Sequence, residues 1–321
     1  MDFFQLVDDI AKVDPEVYDR FDSRRAAFRN FLGFGKKVTA SALPLAMSTL
    51  FTKAYGQTAT LPPLVVETLN LALQLEYLEK YFYQTVLASN ILNAEQTRAF
   101  EIILNDENLH INTLRGALGT AAIADPTRAG FDYTGSQGGR RAALFPSLGN
   151  TFTNTGEFLL VAKNFVDTGV RAYKGGAPNL NTSTTKDLLE VALNIHSVEA
   201  RHSSRIRSFL RGGVQSVTAP KSWITPDETT ATPLPNNGVP NAPASVGPYL
   251  AGNPATGATP SAAFPAENNT AQGAPSVNVQ GLTPTGGSAT AGAEAFDEPL
   301  DAATVKAIAK NFAANPAALF N

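Results

Sequence analysis

Residues 106–119 read DENLHINTLRGALG and residues 197–210 read SVEARHSSRIRSFL. Each stretch places a glutamate three positions before a histidine: Glu107 before His110, and Glu199 before His202. Positions i and i+3 share one face of a helix, so each pair aims a carboxylate and an imidazole at the same side. The chain has only 3 histidines, so two of them in this arrangement is not a compositional accident. Carboxylate-bridged dimetal centres in helix bundles use this pattern: Glu-x-x-His on two helices and a single glutamate on each of the other two.

The flanking sequence supplies four helices to carry it. Pro62-Pro63 opens a segment with apolar residues at Val66, Leu69, Leu73, Tyr77 and Val86-Leu87, mostly at helical spacing, and Ser89-Asn90 closes it. Asn93 caps a second helix with Glu95 in its first turn; this helix runs to about Leu118-Gly119. Residues 120–150 are rich in Gly, Ala and Pro and read as a long crossover. A third helix is expected from Glu157 to Tyr173, stopped by Gly175-Gly176-Ala-Pro178. A fourth starts after Thr182–Thr185 and ends at Arg211-Gly212-Gly213. Two hairpins joined by one long connection make an all-α, antiparallel four-helix bundle with a single crossover.

Composition divides the 321 residues further. Four parts are expected: an N-terminal segment over 1–60, the bundle over 61–213, a neutral low-complexity extended arm over 214–296, and a C-terminal amphipathic helix over 297–321. More than half of the 21 prolines fall between Pro220 and Pro284, and Glu267 is the one charge between Thr229 and Ala293. Such a stretch has no periodicity to support helices or strands. The last helix, Leu300 to Ala314, carries Val305, Ile308 and Phe312, an apolar stripe that needs either its own bundle or a neighbouring subunit. In the first segment, Ser23-Arg24-Arg25-Ala-Ala-Phe28 precedes an apolar run from Val38 to Phe51 that is too short to span a bilayer. That is the outline of a bacterial twin-arginine export signal, and equally of an amphipathic helix packing on the body.

The absences narrow the chemistry. With no cysteine, thiolate metal sites, iron–sulfur clusters, disulfides and cysteine nucleophiles are excluded. A net charge of −3 excludes a basic nucleic-acid binder. Nothing around the histidines resembles a serine-hydrolase motif. His196 shares a face with Glu199 and reads as a rim histidine, with a supporting role beside the site as the other reading. The run Arg201, Arg205, Arg207, Arg211 reads as a solvated helix end.

Four stretches, LNLALQLEYLEKYFYQTVL (69–87), DENLHINTLRGALG (106–119), FVDTGVRAYKGGAP (165–178) and SVEARHSSRIRSFL (197–210), resemble the ferritin-like domain family that includes the desiccation-related proteins. The resemblance covers roughly residues 60–213 and explains neither end of the chain. It implies a carboxylate and histidine metal site of Glu76, Glu107, His110, Glu199 and His202, with Glu79 as a neighbouring candidate one turn from Glu76. Overlaying EYLEKYFY on VDTGVRAY pairs Glu76 with Val166 and Tyr83 with Tyr173, so the expected third-helix carboxylate is a valine. Asp167, one position off, and Glu157, by depth along its helix, are the weaker substitutes.

Two functional readings follow. The first is a ferritin-like protein with a structural, assembly or stress-protective role and a partly degenerate metal site, its Glu and His groups bonded to one another and to Tyr83 or Tyr173. The second is a di-iron, di-manganese or mononuclear metal oxidoreductase acting on peroxide. No residue is singled out as catalytic. Fe or Mn is the expected metal, and no metal at all fits the sequence equally well. The arm suggests a homo-oligomer or larger assembly; no nucleic acid and no transmembrane segment are expected. Location is the bacterial periplasm or cell envelope if the Arg24-Arg25 signal is used, and the cytoplasm otherwise.

Overall fold

Pro63 sits where a proline helps a helix begin, because the first-turn N–H it lacks has no intrahelical partner. Helix α1 spans Pro63–Ala88, α2 Ala94–Leu118, α3 Thr155–Leu180 and α4 Lys186–Leu210. The structure, a computed structural model, describes residues 61–216, 218–229, 248–252, 263–273, 276–282 and 288–321. The Arg24-Arg25 segment lies outside the described residues.

The α1–α2 turn closes on Asn90, whose φ of 55° is the left-handed conformation asparagine tolerates. Asn93 then accepts from the backbone N–H of Glu95 and Gln96 while the Gln96 side chain accepts from the Asn93 N–H, a reciprocal cap that fixes where α2 starts. Helices α1 and α2 form one hairpin, α3 and α4 the other; α1 also packs on α3, and α2 on α4. Residues 119–154 cross between the hairpins and add Tyr133, Phe145 and Phe152 to the core. The Phe82 ring lies 4.9–5.1 Å from those of Tyr133, Phe152, Phe158 and Phe165. These rings fill one end of the bundle and leave its middle to polar groups.

Helix α3 departs from expectation by running through Gly175 and Gly176 to Leu180, with Pro178 in its last turn. The glycines are there for contact, not termination. A Cβ on Gly175 would lie 1.9 Å from the Leu300 carbonyl oxygen, so only glycine lets the C-terminal segment lie against α3.

Residues 214–296 also hold more structure than their composition suggested. They contain 3₁₀ turns at Pro226–Thr229 and Val279–Leu282, a two-residue pair of strands, β1 (Ala271–Gln272) and β2 (Val277–Asn278), and a short helix α5 (Ala289–Ala293). The order comes from the bundle. Arg171 on α3 is fully buried and donates to the carbonyls of Glu298 (2.9 Å), Leu250 (2.9 Å), Pro265 (2.7 Å) and Pro299 (3.1 Å), and also to Pro248. Its Nε lies 2.8 Å from Glu267, the single charge of the neutral stretch. A proline-rich chain offers carbonyls without N–H groups, and one guanidinium collects five of them.

The C-terminal helix α6 (Ala302–Ala309) continues into a 3₁₀ turn, Lys310–Phe312. Its apolar stripe is used within the chain. Val305, Ile308 and Phe312 are buried, the Phe312 ring sits edge-on to Phe165 at 4.6 Å, and the Phe312 carbonyl accepts from Asp132 of the crossover. No helix among the described residues is long and apolar enough to cross a membrane.

Candidate metal centre

Glu76 of α1, Glu107 and His110 of α2, and Glu199 and His202 of α4 are all buried in the middle of the bundle. The Nδ1 of His110 lies 3.1 Å from Glu76, 3.2 Å from Glu107 and 3.2 Å from Glu199. The Nδ1 of His202 lies 3.3 Å from Glu107 and 3.5 Å from Glu199. Glu107 and Glu199 therefore each face both imidazoles, whose centroids are 6.3 Å apart. One ligand atom from each of Glu76, Glu107, His110 and Glu199 falls within 4.8 Å of all the others.

The cluster does not satisfy itself. Glu107 Oε1, both carboxylate oxygens of Glu199, and His202 Nδ1 are buried with no hydrogen-bond partner. They come within 3.2–3.5 Å of opposite charge, but off the line of any N–H. The cause is stoichiometric: His110 Nδ1 has at most one proton and meets three carboxylates. Buried polar atoms left unbonded cost about 1–3 kcal/mol each, and a cation at the centre satisfies them together. One imidazole and three carboxylates, His110 with Glu76, Glu107 and Glu199, lie close enough together to hold a metal ion.

The electrostatics agree. Burial pushes the Glu76 carboxyl up to about 8 even though His110 pulls it down. Burial also pushes Glu79 well above the carboxylate range, and the charges of Glu199, Glu107 and Glu76 push it further. Burial opposes ionisation of Glu199 too, but His202 and His110 outweigh it and hold that carboxyl at about 2. Burial works against charging His202, yet Glu199, Asp106 and Glu107 raise it to about 12.

The surrounding residues orient the cluster. Tyr173 of α3 donates to Glu76 Oε1 at 2.5 Å, and Tyr83 of α1 donates to Glu79 Oε2 at 2.8 Å. Asp106 accepts from His202 Nε2 at 3.1 Å, which leaves Nδ1 turned inward toward Glu107 and Glu199. Sequence reasoning passed over Asp106. The signal was present in the residue immediately before Glu107, but it needed the cross-helix distance to α4 to be read.

The weaker candidates separate. Glu79 is buried on α1 beside the cluster. Val166 is buried in the core, and no side chain of α3 supplies a carboxylate to the group. Asp167 faces elsewhere: it pairs with Arg207 at 2.5 Å and accepts from Ser203 and from Tyr249 of the arm. Glu157 lies in the first turn of α3, where it accepts from Ser147. His196 is bonded to the Val170 carbonyl at 3.0 Å, away from the cluster. Arg207, expected among solvated arginines, is fully buried, with Asp167 and Glu228 on either side of its guanidinium.

The family model described as the ferritin-like domain matches residues 65–212, from early α1 to just past α4. A comparison with curated proteins finds no match.

Proposed function

We propose that the ferritin-like domain of this chain binds divalent iron or manganese in the middle of its bundle, and that this metal site is the seat of its function. The observation that carries the reading is the set of four buried, hydrogen-bond-free atoms on Glu107, Glu199 and His202. A relic held together by its own hydrogen bonds would have its donors and acceptors matched. Here the acceptors outnumber the donors and converge on one point.

The residues divide the work. Glu107 and Glu199, each facing both histidines, would hold the metal, and Glu76, held by Tyr173, would add a third carboxylate. His110 and His202 supply one nitrogen each, with Asp106 holding His202 in register. A bound iron or manganese pair would supply one-electron and two-electron exchange with peroxide or dioxygen. A cavity of about 190 Å³ lies beside the cluster's Tyr173. It lies between α1, α3 and α6, is lined by Leu69, Leu75, Ala172, Tyr173, Leu300 and Val305, and reaches the tyrosine that holds Glu76.

The test is metal content and metal-dependent melting of the full chain against Glu107→Gln. Binding that stabilises the wild-type protein and is lost in the variant supports the reading. Equal metal content in the two proteins, or none in either, rejects it.

A further inference from the structure

The cavity beside Tyr173 has walls from distant parts of the chain. Helices α1 and α3 form one side; Phe264 of the arm, with Leu300, Asp301 and Val305 of the C-terminal segment, forms the other. The second wall is fastened to the first. The Leu300 N–H donates to the Arg171 carbonyl of α3 at 3.0 Å, and Gly175 leaves no Cβ between α3 and the Leu300 backbone. The Phe264 carbonyl accepts from Gly252 at 2.8 Å, and the next carbonyl, that of Pro265, accepts from Arg171 at 2.7 Å. The space between the walls exists because the helices present small residues there, Ala72 on α1 and Ala172 and Gly176 on α3. A Cβ on Gly176 would already come within 2.9 Å of the Thr68 side chain on α1.

The polar groups on the lining are already engaged. Tyr173 donates to Glu76, Asn179 donates to Thr68 at 3.0 Å, and Thr68 donates to the Leu64 carbonyl at 2.7 Å. Asp301 caps α6 by accepting from the Thr304 N–H at 3.0 Å, and Lys306 donates to the Asn321 carbonyl at 2.5 Å. Glu67 is exposed to water. An occupant therefore meets the alkyl surfaces of buried Leu69, Leu75, Leu180, Leu300 and Val305. Such surfaces reward apolar area, whereas a charge placed among them would lose its water and gain no partner. An apolar cavity of about 150 Å³ takes up benzene, so one of about 190 Å³ holds a ring with one small substituent.

We propose that this cavity is a binding site for a neutral, apolar molecule of one ring, held between the bundle and the C-terminal segment. Tyr173 lines the site and reaches Glu76, so the ligand rests one side chain away from the carboxylate cluster. Binding requires the C-terminal segment in place and does not depend on a metal.

Toluene titrated into the full chain by calorimetry tests it, with benzoate as an anionic ring of similar size. Crystals soaked in iodobenzene locate the site by anomalous scattering. The wild-type chain should bind toluene and not benzoate, and the iodine should lie between Ala172 and Val305. Ala172→Leu and Ala72→Leu fill the cavity from different helices, and each should weaken toluene binding by about tenfold or more. Gly175→Ala, which pushes Leu300 away from α3, should weaken it as well. No toluene bound by the wild-type chain, benzoate bound as tightly, no iodine in the cavity, or filled variants that bind as well as wild type overturns the inference. The soaked crystals decide the matter even if a filled variant does not fold. Each of these outcomes leaves the metal site standing, and a chain that binds no iron or manganese leaves this site standing.

Discussion

A single histidine nitrogen, His110 Nδ1, faces three carboxylates in the middle of the bundle. His110 Nδ1 cannot donate to Glu76, Glu107 and Glu199 together, and this shortage separates a metal site from a hydrogen-bonded polar core. It gives Glu107→Gln a distinctive expected result. Glu107 lies 3.2–3.3 Å from both imidazoles, so the metal-free variant loses that attraction and should melt no higher than wild type. The stabilisation on adding iron(II) or manganese(II), measured by calorimetry, should disappear. A variant still stabilised by either metal to the wild-type extent would show that Glu107 is not a ligand. The paired Glu-x-x-His motifs were legible in sequence because helical spacing fixes which side chains share a face. Asp106 and the Tyr83–Glu79 contact were not, because they depend on which residues of other helices stand opposite. Arg207 was misread for the same reason: its helix position suggested solvent, while Asp167 and Glu228 enclose it.

At the scale of elements, all four helices were readable from apolar spacing and caps, down to the Asn93 cap of α2. The end of α3 was not. Gly175-Gly176 and Pro178 are stop signals when a helix ends in solvent, but here the glycines admit the backbone near Leu300. Local sequence does not reveal that a segment more than a hundred residues later will pass within contact. Gly175→Ala should therefore act on the C-terminal segment: a Cβ 1.9 Å from the Leu300 oxygen forces α6 away from α3. The expected cost is about 1–3 kcal/mol in thermal or denaturant unfolding, with faster proteolysis of residues after Leu300. Unchanged stability and proteolysis would show that the close approach is not kept in solution. Composition gave no sign of the arm's small elements, because Arg171 and its five carbonyl partners impose them from outside.

For the whole molecule, the described parts of the arm are held to the bundle by charged groups buried at two points, Arg171 with Glu267 and Arg207 with Asp167 and Glu228. The second responds to acid. Burial opposes ionisation of Glu228, but Arg207 and Lys163 outweigh it and keep its carboxyl below 4.5. A depressed carboxyl stabilises the folded state above its unfolded value, and that stabilisation fades as pH falls through the lowered one. The turn at Pro226–Thr229 should thus hold at neutral pH and loosen in acid, as the pH falls through the lowered carboxyl of Glu228. The chain's single tryptophan, Trp223, lies three residues before this turn and donates to Glu294, so Glu228→Gln separates the turn's effect on its emission from that of Glu294. Its emission should be flat near neutral pH and change in acid, and Glu228→Gln should show the changed emission already at pH 7. Flat emission through acid in the wild type, or a variant that matches it at pH 7, would contradict the anchor.

Anomalous scattering from crystals of the full chain purified without chelator, collected at the iron and manganese edges, tests metal binding in the bundle directly. An anomalous peak is expected between Glu76, Glu107, His110 and Glu199 at the edge of the bound metal. An ordered bundle with no anomalous density there, in crystals soaked in iron(II) or manganese(II), would contradict it.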